Sequence, residues 1–251
     1  MSKELIIKTQ ELSSQKVSIC VPVVASTVDS VLQQVNNCVE ANVPMIELRA
    51  DYFDFLEDRD VLEDTLRRVA EITASTMVLF TIRTDVEGGE IAIAEELYRD
   101  IISFVSTTGY VDIIDLEISH VDDAADFINI LHNNGAYVLA SHHDFHETPE
   151  LLDMIDLYGQ MHNTGADILK LAVMPNTRDD VVRSMQAANM VNEEIEDALI
   201  CSISMGSLGK VSRITGSLVG SCISFAALDA ASAPGQLSYG DMNTIIKILE
   251  K

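Results

Sequence analysis

Eight runs rich in Val, Ile and Leu recur along the chain with amphipathic segments between them, and this alternation limits the fold more than any other feature. The runs are VSICVPVV (17–24), MIELRA (45–50), MVLFTIR (77–83), VDIIDLEI (111–118), YVLASHH (137–143), DILKLAV (167–173), LICSISM (199–205) and CISFAAL (222–228). Their starts lie roughly 20 to 35 residues apart, the length that a strand, two short loops and a crossover helix require. Near-continuous apolar strands alternating with helical patterns specify a parallel sheet covered by helices. Eight β/α units in 251 residues match the α/β class of the (β/α)₈ TIM barrel in count and size. The competing doubly wound sheet usually places G-x-G-x-x-G after its first strand, where this chain has VVASTVDS. No Pro/Ser/Gly-rich linker divides the sequence, so residues 1–251 are read as a single barrel domain. The first 16 residues precede the first barrel strand and are read as a short hairpin across the barrel floor.

Local signals support these boundaries. Three runs are introduced by similar phrases, TGYVDII, NGAYVLA and TGADILK, whose Gly fits a helix C-cap with positive φ. TPELLDMIDL and NTRDDVVRSM begin with Thr or Asn ahead of acidic first-turn residues, as helix N-termini prefer.

In a barrel, reactive groups lie at the C-terminal ends of the strands. Charged residues recur there. A period of two puts Glu47 and Arg49 on one face of the second strand and Asp115 and Glu117 on one face of the fourth. Arg83 closes the third strand and His143 ends the fifth. Lys170 interrupts an otherwise apolar sixth strand. A desolvated lysine holds its ammonium form less well, and the neutral amine attacks carbonyl carbon to form a Schiff base. Alternatively, Lys170 pairs with Glu47 or Glu117, or reaches the rim. A neutral imidazole at His143 suits proton transfer from carbon; equally, it is a polar residue hydrogen-bonded to Asp144, Glu47 or Glu117. His142 alternates to the other face, and His146 lies beyond the strand. The loop TDVEGGEI reads either as an anion cradle of backbone N–H groups or as a mobile lid that brings Glu87 over the pocket. In ASAPGQLS, Ser232 and Gln236 supply neutral donors and acceptors around a turn.

Charge then excludes whole classes of partner. Lys and Arg number 16 against 40 Asp and Glu, a formal net charge of −24. Nucleic acid needs its phosphates neutralised by cations that this chain mostly lacks, and an anionic membrane surface is excluded by the same sign argument. Cys20, Cys38, Cys201 and Cys222 stand far apart without zinc spacing and read as reduced, buried thiols; no metal site is expected. No secretory h-region and no membrane-length apolar run appears, so a cytoplasmic protein is expected.

Seven segments, in order, resemble type I 3-dehydroquinate dehydratase, the Schiff-base-forming lyase of the shikimate pathway. They are IELRAD (46–51), FTIRTDVEGGE (80–90), DLE (115–117), SHHDFHETP (141–149), ILKLAVMP (168–175), SMGSLGKVSR (204–213) and ASAPGQLS (231–238). The resemblance implies that Lys170 forms an imine with the C3 ketone of 3-dehydroquinate. It implies that His143 moves the proton from C2 to the departing C1 hydroxyl, a syn loss of water, with Glu87 as a lid residue assisting catalysis. It further implies that Arg213 anchors the substrate carboxylate, that Arg83 lines the mouth, that Glu47 and Arg49 bind hydroxyls, and that Leu48 between them belongs to the substrate-binding set. Ser232 and Gln236 would close over the ring, and Met205 would be apolar filler. No cofactor is implied, and a homodimer is expected by family analogy. Pro22 stands where some members carry a substrate-touching hydroxyl, so no contact is expected there; Ser207 and Leu208 are a second local departure, remote from the Lys170 and His143 pairing. Two other readings stay open: a class I aldolase on the same fold, for which no phosphate-binding loop is seen, and a non-catalytic barrel that binds quinate-like metabolites.

Overall fold

The structure is a computed structural model that describes residues 4–228 and 235–250. Within them the chain runs through β1 (Glu4–Ile7), β2 (Gln10–Ser13), β3 (Ser18–Val23), α1 (Val28–Glu40), β4 (Met45–Arg49), α2 (Arg59–Ile72), β5 (Met77–Thr81), α3 (Glu95–Thr108), β6 (Ile113–Glu117) and α4 (Ala124–Asn133). It continues through β7 (Tyr137–Asp144), α5 (Leu151–Asn163), β8 (Ile168–Val173), α6 (Arg178–Glu194), β9 (Leu199–Ser204), α7 (Lys210–Ile214), β10 (Ile223–Ala227), β11 (Leu237–Ser238) and α8 (Tyr239–Leu249). Nine strands form one curled parallel sheet in the order β11-β10-β3-β4-β5-β6-β7-β8-β9, which is TIM-barrel-like. Between β9 and the start of β10, the Cys222 amide donates to the Ile200 carbonyl at 2.7 Å, and a parallel bridge joins Ile200 to Ser221.

Each of the eight apolar runs is a strand, because each must bury both faces. Alternate residues such as Ile46, Leu48, Val78, Phe80, Ile114, Leu116, Leu169 and Leu171 face the helices and form one large core. The intervening residues face the interior of the curl, where Cys20, Met45, Met77, Leu79, Ile113, Leu139, Ile168 and Leu199 form a second cluster. Ile7 and Leu12 join that second cluster. They come from the antiparallel β1–β2 hairpin, which therefore plugs the N-terminal end of the strands as expected. Its turn residue Lys8 donates to the carbonyls of Thr73 and Thr76 and meets Asp112 at 2.8 Å.

The phrases that introduce strands also have a structural basis. Gly109, Gly135 and Gly165 all take positive φ at the ends of the preceding helices. Asp112 and Asp167, each just before its strand, accept the amides of Val78 and Val138 on the neighbouring strand at 2.7 Å, fixing adjacent strands in register. Thr177 caps α6 through a reciprocal pair with Asp180. The expected Thr cap on α5 does not form: the helix starts after Glu150, and Thr148 instead donates to the Met174 carbonyl at 3.0 Å, tying two loops together. Among the described residues no helix is long and apolar enough to cross a membrane.

Candidate active site

Along the inner face, residue type changes from the N-terminal to the C-terminal end of the strands. Met45 is followed by Glu47 and Arg49, Ile113 by Asp115 and Glu117, Leu139 by Ser141 and His143, and Ile168 by Lys170. β9 and β10 stay apolar there, with Ile203, Met205 and Phe225. The result is a pocket with charged residues on one side and apolar ones on the other. Its lining includes Glu47, Arg83, His143, Lys170, Arg213 and Gln236.

Arg83 organises the charged half. One guanidinium nitrogen donates to Asp115 Oδ2 at 2.6 Å; the other donates to Glu117 Oε1 at 2.8 Å, Ser141 Oγ at 3.0 Å and Glu87 Oε2 at 3.4 Å. Burial opposes its charge, but Asp115, Glu117 and Glu87 outweigh this and hold its pKa well above the ordinary value. A buried guanidinium needs such partners, because taking it out of water unpaired is very costly. Arg83 thus braces neighbouring strands while also lining the pocket. Arg49 is similarly committed, in a bidentate pair with Asp51 at 2.8 and 2.7 Å.

Glu87 lies over the pocket in this structure. It is buried within a short 3-10 turn, Asp85–Glu87, and accepts from Ser119 Oγ at 2.7 Å and from the His143 backbone amide at 3.1 Å. The loop's amides are spent internally as well. Gly88 N–H goes to the Asp85 carbonyl, Gly89 N–H to the Thr84 carbonyl and Glu90 N–H to Asp51, so they form no anion cradle. Gly89 is required because a Cβ there would lie 1.9 Å from the Arg83 carbonyl oxygen. Burial pushes the Glu87 carboxyl up, but hydrogen bonds from His142 and His143 and the charge of Arg83 prevail, and it is held well below the usual carboxylate range.

His143 Nδ1 lies 2.9 Å from Glu87 Oε2, a partner absent from the three expected by position. An ionised carboxylate can only accept, so Nδ1 carries the proton and Nε2 keeps its lone pair. Burial, with the positive charges of Arg83 and Lys170, pulls His143 down to about 3, and it is neutral around pH 7. His142 also reaches Glu87, at 3.2 Å, because that carboxylate sits over the strand end within reach of both faces; the hydrogen bond raises the His142 pKa.

Lys170 is buried, with Nζ 3.4 Å from Asp115 Oδ2, 3.9 Å from Glu47 Oε1 and 4.6 Å from the centroid of the Phe225 ring. The expected carboxylate neighbours were Glu47 and Glu117; Asp115 takes the place of the latter. Arg213 projects from α7 and is 1% exposed. Its Nη1 donates to the Phe225 carbonyl at 3.5 Å, and burial draws its pKa down to about 10, still cationic at neutrality. Leu48 is a correction: it alternates away from Glu47 and Arg49 into the core beneath the helices, outside the pocket. Ser232 lies outside the described residues. Sequence reasoning missed Asp51, Ser119, Ser141 and Phe145. Asp51 carried one usable signal, its i+2 spacing from Arg49; the others show only once strands are in register. All four cysteines are free and buried. Among the described residues no group of three or more His, Cys, Asp or Glu is arranged to hold a metal ion.

Comparison with known proteins follows the same lines. A family model described as type I 3-dehydroquinase matches residues 19–251. The 3-dehydroquinate dehydratase of Alkaliphilus oremlandii is 32% identical over 252 residues, covering 100% of this chain and 99% of that protein. The crystal structure of 3-dehydroquinate dehydratase from Geobacillus kaustophilus superposes with a TM-score of 0.95 at 30% identity, covering 99% of this chain and 96% of that one. The type I enzyme from Clostridium difficile, solved with covalent modified comenic acid, also gives 0.95 at 30% identity, covering 100% and 99%. With the lysine, the histidine and the arginines gathered at one strand end, and with matches spanning essentially the whole chain, this chain belongs to the type I 3-dehydroquinase family.

Proposed function

We propose that Lys170 and His143 carry out the family's reaction here, the dehydration of 3-dehydroquinate to 3-dehydroshikimate in the shikimate pathway. One observation carries the assignment: a buried amine and a neutral, carboxylate-anchored imidazole line the same pocket. Condensation of Lys170 with the C3 ketone forms the N–C3 bond and releases the ketone oxygen as water. The protonated imine draws electrons from the C2–H bond, and His143 Nε2 takes that proton. The resulting enamine pushes electrons toward C1, whose hydroxyl leaves as water after receiving the proton from His143. Hydrolysis of the conjugated imine frees the product and restores Lys170.

In this reading Glu87 fixes the His143 tautomer rather than closing as a lid. Arg213 holds the substrate carboxylate through a guanidinium fork. Glu47, Gln236 and Ser232 serve the hydroxyl groups, and Arg49 acts beside them while paired with Asp51. Ile203, Met205 and Phe225 form the apolar wall against the ring. The sheet is read as a closed (β/α)₈ barrel, one domain over residues 1–251, supported by the Cys222 to Ile200 hydrogen bond. The homodimer expected by family analogy and the cytoplasmic location expected from the sequence belong to the same proposal.

The test is reduction with borohydride in the presence of 3-dehydroquinate. Mass spectrometry should find one covalent adduct, on Lys170. No adduct, or an adduct on another lysine, refutes the assignment.

A further inference from the structure

We propose that Asp115 is the counter-ion of the imine nitrogen and that Arg83 links it to Glu87, the counter-ion of His143. The inference rests on the assignment of Lys170 and His143 above. Four contacts join the two reacting groups: Lys170 Nζ to Asp115 Oδ2 at 3.4 Å, Asp115 Oδ2 to Arg83 Nη2 at 2.6 Å, Arg83 Nη1 to Glu87 Oε2 at 3.4 Å, and Glu87 Oε2 to His143 Nδ1 at 2.9 Å. All five side chains are almost wholly removed from water.

Charge bookkeeping along the reaction gives this chain a purpose. A lysine ammonium and a ketone condense to a protonated imine and water, so nitrogen carries +1 before and after. When the C2 proton moves to His143, nitrogen becomes neutral and the imidazole becomes +1. When His143 returns that proton to the departing hydroxyl, the charge goes back to nitrogen in the conjugated imine. One positive charge therefore passes from Nζ to His143 and back in every turnover. A carboxylate stands at each end of that path, Asp115 and Glu87, and both are bound to the same guanidinium. Fixed charges aimed at the sites where charge develops stabilise it without reorganising during the step.

Asp115 is better placed for this than Glu47, which is farther from Nζ and accepts from Thr81 Oγ1 at 3.0 Å rather than from Arg83. Both Asp115 oxygens are fixed, Oδ1 by the Ser141 hydroxyl at 2.7 Å and Oδ2 by Arg83, so the carboxylate cannot turn away from Nζ. Burial raises its pKa, but Arg83 and Lys170 prevail and keep it below the usual value, so it is ionised at working pH.

The test is Asp115→Asn with 3-dehydroquinate. We expect kcat to fall by about a hundredfold or more, as when a preorganised electrostatic partner is removed. Borohydride trapping on Lys170 should slow in parallel, while KM changes little because the ring's carboxylate and hydroxyl contacts are untouched. Asp115→Glu should recover part of the loss. Unchanged kcat and trapping in Asp115→Asn, with the wild-type adduct on Lys170, would overturn this proposal alone; a missing wild-type adduct would refute the underlying assignment. A measurement on the wild type guards against a variant that fails to fold. The Raman C=N band of the product imine should shift in D₂O, as a protonated imine requires, and an unshifted band removes the need for a counter-ion.

Discussion

The two ends of the same strands differ more than any two elements of the molecule. At the N-terminal end the interior is filled by Met45, Met77, Ile113, Leu139 and Ile168 and covered by Ile7 and Leu12 of the hairpin. At the C-terminal end, one or two inward positions further along, the interior holds Glu47, Asp115, Glu117, His143 and Lys170. Apolar burial of the first kind stabilises the fold at roughly 25 cal/mol per Å². Buried charge of the second kind is at best neutral for stability, and it persists only because Arg83 and Arg49 satisfy the carboxylates around them. The lesson is a division of labour within each strand: one end holds the sheet together so that the other can keep charges out of water.

That division can be broken experimentally. The largest effect is expected from His143→Ala, which should lower formation of the ultraviolet-absorbing enone by about 10² to 10⁴-fold while Lys170 still forms a reducible adduct. Full activity would remove His143 from the chemistry. A smaller effect, at the other end, is expected from Leu12→Ala. It removes a fully buried side chain from the floor and should cost about 2–5 kcal/mol in urea unfolding, with kcat of the folded protein unchanged. A large loss of kcat there would show that the two ends are not separable.

A third test sharpens the comparison through pH. In the unfolded chain imidazole binds a proton near pH 6.5. In the fold His143 does so only near 3, held down by burial and by Arg83 and Lys170 despite its contact with Glu87. Between those values the unfolded state binds more protons, so the neutral His143 makes stability fall as pH falls from about 6.5 toward 3. The stability of the wild type relative to His143→Ala should therefore decline over that window. A constant or growing difference would contradict the buried neutral histidine.

How far the sequence reveals these two ends follows from their physics. The strands are legible to within two or three residues because burial on both faces demands uninterrupted Val, Ile and Leu. The inward charges are legible because a period of two places Glu47 with Arg49 and Asp115 with Glu117. Partners across strands are not legible, since they depend on register and on loops folding back: Glu87 reaches His143 from 56 positions away, and Arg83 reaches Ser141 from 58. The same limit hides where Glu87 sits. A Gly-Gly loop looks mobile in sequence, whereas here its second glycine lets the chain pass against the Arg83 backbone and bury Glu87. Leu48 fails for the opposite reason: the alternation that identifies its neighbours excludes it.

The seam between β3 and β10 bears on how such a protein comes into being. The Ser18 amide bonds to the Cys222 carbonyl at 2.8 Å, and the Val17 amide to Glu250 Oε1 at 2.9 Å, a partner 233 positions away. Contacts of that sequence separation cost the most loop-closure entropy, and chains dominated by them fold slowly. On the ribosome, β3 emerges long before β10, the strand that will flank it, exists. Phe225, which sits against Lys170, belongs to β10 and is made after β8, which carries the lysine. The wall that dries the amine is thus made after the amine itself, and Lys170 becomes a buried reagent only once β10 has been synthesised and docked.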